Sequence, residues 1–393
     1  MVAPWSGLSI ETLSFVPMFR NNQKSIATLR VRAFMRVLFG LFLFVYFYFL
    51  QSPLLSLVQL HLSEGKTVYY PLVSAVVLSG LLLLVQKLVA KWIDFTETLY
   101  FFSYVPSVIL AVVTTAFTPT MNVPVLVFCA VALVGFVLAA VICVKLSPHE
   151  ERDNSYARLL TTHALGMVFV MSSLGLFSNS NDVTTYEIQT AHLIQNLEYE
   201  EALHIGQRSA ATSSRLTALR AYALSHTPQG MGERLFTYPL TTAGAEQLLF
   251  AQEDTLAQLL PPDSLYAELG VWRSEKETAI QFLQRALQRN EKQIVKDYWL
   301  TGLLLERNLE KFVSDFSACC PDSVALPRHY QEALVLYRAL YHRPVPQDVD
   351  SAVMKSYEDY RQLGEQYEDA LVRRNQLYRA YSNTYWWYFD YLR

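Results

Sequence analysis

The sequence predicts an all-α protein: an N-terminal transmembrane helical bundle of about five spans, over residues 31–178, followed by a soluble α-helical repeat domain over residues 183–393. Three observations lead there. Five apolar stretches of bilayer-spanning length fill the first half. Of the 35 acidic residues only seven precede residue 180, and 28 follow it. Beyond about Thr184, apolar residues recur three and four apart in short amphipathic segments. Residues 1–30 read as a cytoplasmic N-terminal tail, and the two halves join in Ser178-Asn179-Ser180-Asn181-Asp182.

A bilayer core about 30 Å thick takes roughly 20 apolar residues in a helix, because a backbone amide left unpaired in lipid is costly. The predicted spans run Val37–Val58, Val68–Val85, Tyr100–Phe117, Val123–Val144 and Leu159–Phe177. The first is dense in aromatics from Phe39 to Phe49, the fourth is apolar throughout, and Thr161, Thr162, His163, Ser172 and Ser173 make the fifth the most polar. A cleavable signal peptide is not expected, since the first long apolar run starts late and further spans follow.

Orientation follows from lysine and arginine, which are retained on the cytoplasmic side. Arg20, Lys24, Arg30, Arg32 and Arg36 precede the first span, Lys87 and Lys91 follow the second, and Lys145, Arg152 and Arg158 follow the fourth. The opposite connections hold Lys66 alone, with none in Thr118-Pro119-Thr120-Met121-Asn122. This bias places the N-terminus inside and everything after the fifth span outside. No span carries a charged residue near its centre, which argues against an ion pump or coupled transporter. His163 reads as a hydrogen-bonded structural histidine, and Gly135, Ala139 and Cys143, four apart, as a strip for close helix packing within the subunit.

In the second half, Ala279, Phe282, Leu283, Ala286 and Leu287 form one helix face, and Tyr330, Ala333, Leu334, Tyr337 and Leu340 another. Turn residues separate the segments at Pro228 to Gly232, Pro261-Pro262-Asp263, Cys320-Pro321-Asp322 and Pro344-Val345-Pro346. A shift of about 34 residues lays Ala279, Phe282 and Ala286 over Val313, Phe316 and Cys320, and Asn196-Leu197-Glu198 is echoed by Asn308-Leu309-Glu310 at a second helix turn. This spacing resembles degenerate tetratricopeptide repeats over residues 184–320, without the full signature of Trp, Gly and Pro.

The segment Leu326-Pro327-Arg328-His329-Tyr330-Gln331-Glu332-Ala333-Leu334 and the ending Tyr381-Ser382-Asn383-Thr384-Tyr385-Trp386-Trp387-Tyr388 resemble an uncharacterised family of Bacteroidota membrane proteins. Its members join a multi-span half, usually with more spans than are counted here, to a tetratricopeptide-like tail. The resemblance implies a bacterial inner membrane location with a periplasmic C-terminal domain, and it implies no activity.

A net charge of −3 and the absence of a basic stripe exclude nucleic acid as a partner. The sequence holds no Gly-rich phosphate loop, no His-Glu-x-x-His, no Gly-x-Ser-x-Gly and no Cys-x-x-Cys, so no catalytic residue, cofactor or metal ligand is assigned. His149-Glu150-Glu151 reads as a solvated connection. Cys129 and Cys143 read as small hydrophobes, and Cys319 with Cys320 as one buried thiol and its neighbour at a turn, the sharper alternative being a redox switch or a link to another chain. The terminal aromatics are the most distinctive local feature: sealing the end of the repeat stack is the plainer role, and lining a peptide groove or resting at the membrane surface the sharper one, with Tyr385, Trp386, Trp387 and Tyr388 as the candidate partner-binding residues. The expected partners are the lipid bilayer and an envelope protein or peptide. The expectation is thus a membrane-anchored interaction scaffold, with an enzyme acting on lipid-linked sugars or envelope lipids through Glu64, His61 and Lys66 at the outer mouth of the bundle as the alternative.

Overall fold

The computed structural model describes residues 16–63, 66–93, 95, 99–115, 123–145, 156–177, 182–250, 262–274, 276–320 and 326–392, and among them every regular element is a helix. Two compact units form, Met1–Ser180 and Asn181–Arg393. Glu64, Thr118 to Asn122, the His149-Glu150-Glu151 connection, Arg152 and the junction residues 178–181 lie outside the described residues, as do the turn residues Pro261 and Pro321-Asp322 and the side chains of His61 and Cys143.

In the first unit α1 (Val16–Val45) runs on into a π-helical turn (Tyr46–Leu50), and α2 (Ser52–Ser63) and α3 (Pro71–Trp92) follow. A 3₁₀ turn (Tyr100–Tyr104) leads into α4 (Val105–Thr115), and α5 (Val123–Lys145) and α6 (Tyr156–Phe177) complete the unit. Among the described residues three helical stretches are long and apolar enough to cross a membrane: Thr28–Leu50, Pro71–Trp92 and Leu159–Phe177. The apolar helices Tyr100–Thr115 and Val127–Ile142 are shorter over their described residues.

The predicted first span, Val37–Val58, is displaced toward the N-terminus. Pro53 has no N–H to carry a helical ladder onward and sits instead in the first turn of α2, so the preceding helix ends at about Gln51. An apolar helix of spanning length is recovered only by reaching back to Thr28. The predicted tail is accordingly helical from Val16, and Arg30, Arg32 and Arg36 stand on the first apolar helix rather than ahead of it.

The arginines are accommodated by Tyr100. Arg36 donates to its hydroxyl at 2.7 Å, and the Arg32 guanidinium lies 4.2 Å above its ring. Buried Gln86 donates to the same hydroxyl at 3.3 Å and to Ser103 Oγ at 3.0 Å, while buried His163 meets the ring edge-on. Polar groups from α1, α3 and α6 thus answer one another where each alone would be left desolvated. The small residues of α5 face the same chain: Ala139 is buried, and a methyl group at Gly135 would stand 3.9 Å from the Phe102 ring.

The second unit comprises α7 (Asp182–Gln195), α8 (Tyr199–His204), α9 (Ser214–Ser225), α10 (Met231–Arg234), α11 (Ala245–Leu249), α12 (Pro262–Leu269) and α13 (Ala279–Arg289). It continues with α14 (Gln293–Leu305), α15 (Leu309–Cys319), α16 (Arg328–Tyr341), α17 (Ser351–Glu365), α18 (Ala370–Tyr381) and α19 (Tyr385–Tyr391). Their starts are written in short polar side chains. Ser213, Asn308, Asp350, Asp369 and Thr384 each accept a backbone N–H from the first turn, and Thr278 with Gln281 completes a reciprocal capping box.

The buried stripe Ala279, Phe282, Ala286 on α13 has its counterpart in Leu309, Phe312, Phe316 on α15, and the two helices begin 30 residues apart. The 34-residue shift read from the sequence also matched apolar residues because a further four is about one helical turn and stays on the same face. The turn echo is real in backbone geometry but displaced by two residues. Leu197 and Arg307 adopt φ of 63° and 56°, and the N–H of the next residue closes back onto Leu193 O at 2.8 Å and Leu303 O at 2.9 Å respectively. That closure satisfies helix-end carbonyls and fixes the register by conformation rather than residue identity, so Glu198 pairs with Asn308.

The last helix is tied to α16 by a carboxylate. Glu332, buried, accepts the Tyr385 N–H at 2.7 Å, the His329 ring at 2.9 Å and Arg328 Nε at 2.9 Å, and its backbone carbonyl accepts the Trp386 indole at 2.9 Å. Removing one member of such a group strands the others without water. Glu332→Ala is expected to lower stability by about 3 kcal/mol and Glu332→Gln by distinctly less, read by chemical unfolding of the full chain; equal, small effects would show that the carboxylate does not hold α19.

Candidate functional site

A cleft of about 910 Å³ opens in the second unit among the C-terminal end of α9, the start of α10, the first half of α14, and the facing ends of α15 and α16. Each wall has a local cause. Thr227 and Pro228 turn the chain out of α9, and Gly230, at φ 71° and ψ 178°, starts α10 with a backbone that suits glycine alone. On α14 the spacing of Gln293, Ile294 and Asp297 brings all three to the cleft side. The opposite wall is Cys319, Cys320, Leu326, Pro327, Arg328 and Tyr330.

Tyr330 is the floor of this arrangement. It is buried, its hydroxyl lies 3.3 Å from Thr301 Oγ1, and its ring packs on Phe312 and Phe316. A side chain at Gly232 would meet that ring at 2.6 Å, so α10 can rest on Tyr330 only because residue 232 has none. Glu233 accepts the Arg328 N–H at 2.6 Å, fixing the start of α16 against α10. Arg234 pairs with Glu200 at 2.9 Å, and Arg328 with Glu332 at 2.9 Å.

Asp297 is the group the sequence reading passed over. Burial raises its carboxyl to a pKa of about 6, the Gln293 amide donating to Oδ1 at 3.0 Å only partly offsetting the loss of water. Its one sequence signal was an acidic residue beside Tyr298 and Trp299, at the head of a helix that is otherwise almost wholly buried. The cleft thiols are of opposite promise. Burial pushes Cys319 up to about 11 and Cys320 to about 12, so both stay protonated at neutral pH and are poor nucleophiles, which weighs against a thiolate-based redox switch. Cys319 completes the buried face of α15, and Cys320 sits half-buried at its end. Among the described residues no three His, Cys, Asp or Glu side chains gather to hold a metal.

The four predicted partner-binding aromatics fall into two settings. Tyr385 and Trp386 are buried at 0% and 1% exposure and line neither this cleft nor the smaller pocket below. Their polar atoms serve the protein's own backbone: Tyr385 donates to Leu304 O at 3.1 Å and Trp386 to Glu332 O at 2.9 Å. Tyr388 donates to Leu305 O at 2.8 Å. Two of these acceptors are carbonyls of the last turn of α14, Leu304 O also accepting the Arg307 N–H at 3.0 Å, so α19 closes on that end of the helix. Trp387 and Tyr388 also form part of the wall of a second pocket of about 320 Å³, with Arg208, Phe236 and Tyr378.

The Asp297 carboxyl gives the cleft a pH signature. An unfolded aspartate gives up its proton near pH 4, whereas the folded one holds it to about 6, so the folded state loses stability as pH rises across that window. Asp297→Asn removes the penalty. The variant is expected to be more stable than the parent at pH 8, by on the order of 2 kcal/mol, and equally stable at pH 4. Equal unfolding midpoints at pH 8 would contradict a desolvated charge at this position.

No curated protein and no solved structure matches the chain. Residues 265–392, a segment that contains Asp297, both cleft thiols, α16 and the terminal aromatics, match a family of unknown function (DUF6057).

Proposed function

We propose that this protein is a membrane-anchored binding scaffold of the cell envelope, whose helical domain lies on the extracytoplasmic side and receives a segment of a partner protein in the α10–α14–α16 cleft. The observation that carries the reading is the cleft itself: a preformed concavity at the upper end of the size range of small-ligand sites, walled by helices that are fixed to one another by buried hydrogen bonds. Stacked helical hairpins of this kind offer concave surfaces to partners, and attachment to a bilayer raises the effective concentration of whatever they hold.

The topology is part of the proposal. Thr28–Leu50, Pro71–Trp92 and Leu159–Phe177 cross the bilayer, with Tyr100–Thr115 and Val123–Lys145 as two further crossings. Three and five are both odd, so either count puts the helical domain opposite the N-terminus. Lysine and arginine near the ends of the apolar runs then favour an N-terminus inside. The domain is read as a degenerate tetratricopeptide-like array in a bacterial inner membrane protein, its helical pairs supporting that reading and its 30-residue spacing marking the departure from the usual period.

A photo-crosslinking residue placed in living cells tests the scaffold. At Gln229, exposed on the cleft rim, it is expected to yield a discrete adduct with one envelope protein, and at Arg361, exposed on α17 away from the cleft, to yield none. Absence of an adduct from Gln229 while the full chain accumulates, or the same adducts from both positions, would overturn the proposal.

A further inference from the structure

Asp297 and Glu233 are the two carboxylates of the cleft wall that the described residues leave without a charged partner, and of the two only Asp297 has a carboxylate oxygen facing a glycine. Oδ1 accepts from Gln293, and no lysine, arginine or histidine among the described residues closes on the carboxylate. The other charges on that wall are answered: Arg234 by Glu200, Arg328 by Glu332, and Glu233 by the backbone N–H that opens α16. Gly230 faces the second oxygen. A Cβ at residue 230 would come within 3.3 Å of Asp297 Oδ2, so the absence of a side chain there keeps the approach to that oxygen open. The positive φ of Gly230 holds this opening in place, since few other residues tolerate it.

We propose, resting on the binding reading above, that the cleft recognises a lysine or arginine side chain of the partner protein, with Asp297 Oδ2 as its counter-ion. A half-buried carboxylate that lacks a cation gains a charge-assisted hydrogen bond from an incoming ammonium or guanidinium group, and a neutral donor leaves its charge uncompensated. Both arginines among the described lining residues are already paired, Arg234 with Glu200 and Arg328 with Glu332, which makes them poor anchors for an anionic ligand. Ile294, Leu326 and Pro327 supply apolar surface along which the aliphatic stem of such a side chain lies. The exposed Gln229 amide offers a donor and an acceptor to the main chain of an extended segment.

Fluorescence anisotropy of the full chain in detergent micelles, at pH 8, tests this with labelled heptapeptides of alanine and serine, acetylated and amidated, bearing one central guest residue. Peptides with lysine or arginine as guest are expected to bind at least tenfold tighter than those with norleucine or glutamate. Asp297→Asn is expected to erase that preference and Arg361→Gln to keep it. A second variant, Ile294→Lys, sets an internal cation one turn from Asp297 and is expected to weaken the lysine peptide at least tenfold while leaving the carboxylate in place. Equal affinity for all guests, a preference indifferent to both cleft variants, or no saturable binding of any peptide would overturn the lysine and arginine assignment. A cleft-specific adduct in cells alongside any of those results would leave the scaffold standing with a different occupant.

Discussion

Tyr330 and Glu332 lie two residues apart on α16 and so point to different neighbours. Tyr330 carries its ring into the space between α10, α14 and α15, where Gly232 leaves room for it, and Glu332 turns toward the N-terminus of α19. The second unit hangs on this division of labour. Without Tyr330 the cleft loses its floor, and without Glu332 the buried Tyr385 amide, the His329 ring and Arg328 lose their common acceptor. The asymmetry of buried polar groups makes such a node hard to replace, because each partner pays little in company and much alone.

From that node the cleft follows by geometry. The start of α16 is pinned to α10 through Glu233, and α10 follows the Gly230 turn, so the turn and the Asp297 carboxylate are held face to face by contacts that involve neither of them. Burial then does two things at once. It silences the thiols of Cys319 and Cys320 by keeping them protonated, and it leaves Asp297 a carboxylate of unusually high pKa in a wall whose arginines are already paired.

Much of this was legible in the sequence, and the reasons differ by element. The apolar run Leu159–Phe177 corresponds closely to α6 because a helix of that length must be apolar nearly throughout to cross lipid. The predicted face is buried at Ala279, Phe282, Leu283 and Ala286 and partly buried at Leu287, and Tyr330, Ala333, Leu334 and Tyr337 are buried as their spacing predicted, while Leu340 at the far end of the stripe is half exposed. The first apolar run was misplaced because hydrophobicity ignores a missing N–H, and Pro53 moved the helix back over three arginines. The aromatic ending could be recognised as distinctive, but not divided into Tyr385 and Trp386, which cap and seal, and Trp387 and Tyr388, which also reach a pocket. Asp297 was beyond reach for a related reason. Whether a carboxylate finds a cation is decided by segments far away in the chain, and nothing in the residues around Asp297 announces Gly230 opposite it.

The proposed binding role requires that partner proteins can reach the cleft, which makes the side of the bilayer on which the helical domain stands the decisive quantity. A cysteine introduced at Arg374, exposed on α18, reports it directly, since Cys319 and Cys320 are buried or half-buried, protonated and slow to react. In sealed right-side-out membrane vesicles, an impermeant maleimide is expected to label the Arg374→Cys chain fully, and the parent chain not at all, before any detergent is added. Labelling that appears only after the vesicles are opened would place the domain on the cytoplasmic side and contradict the envelope scaffold.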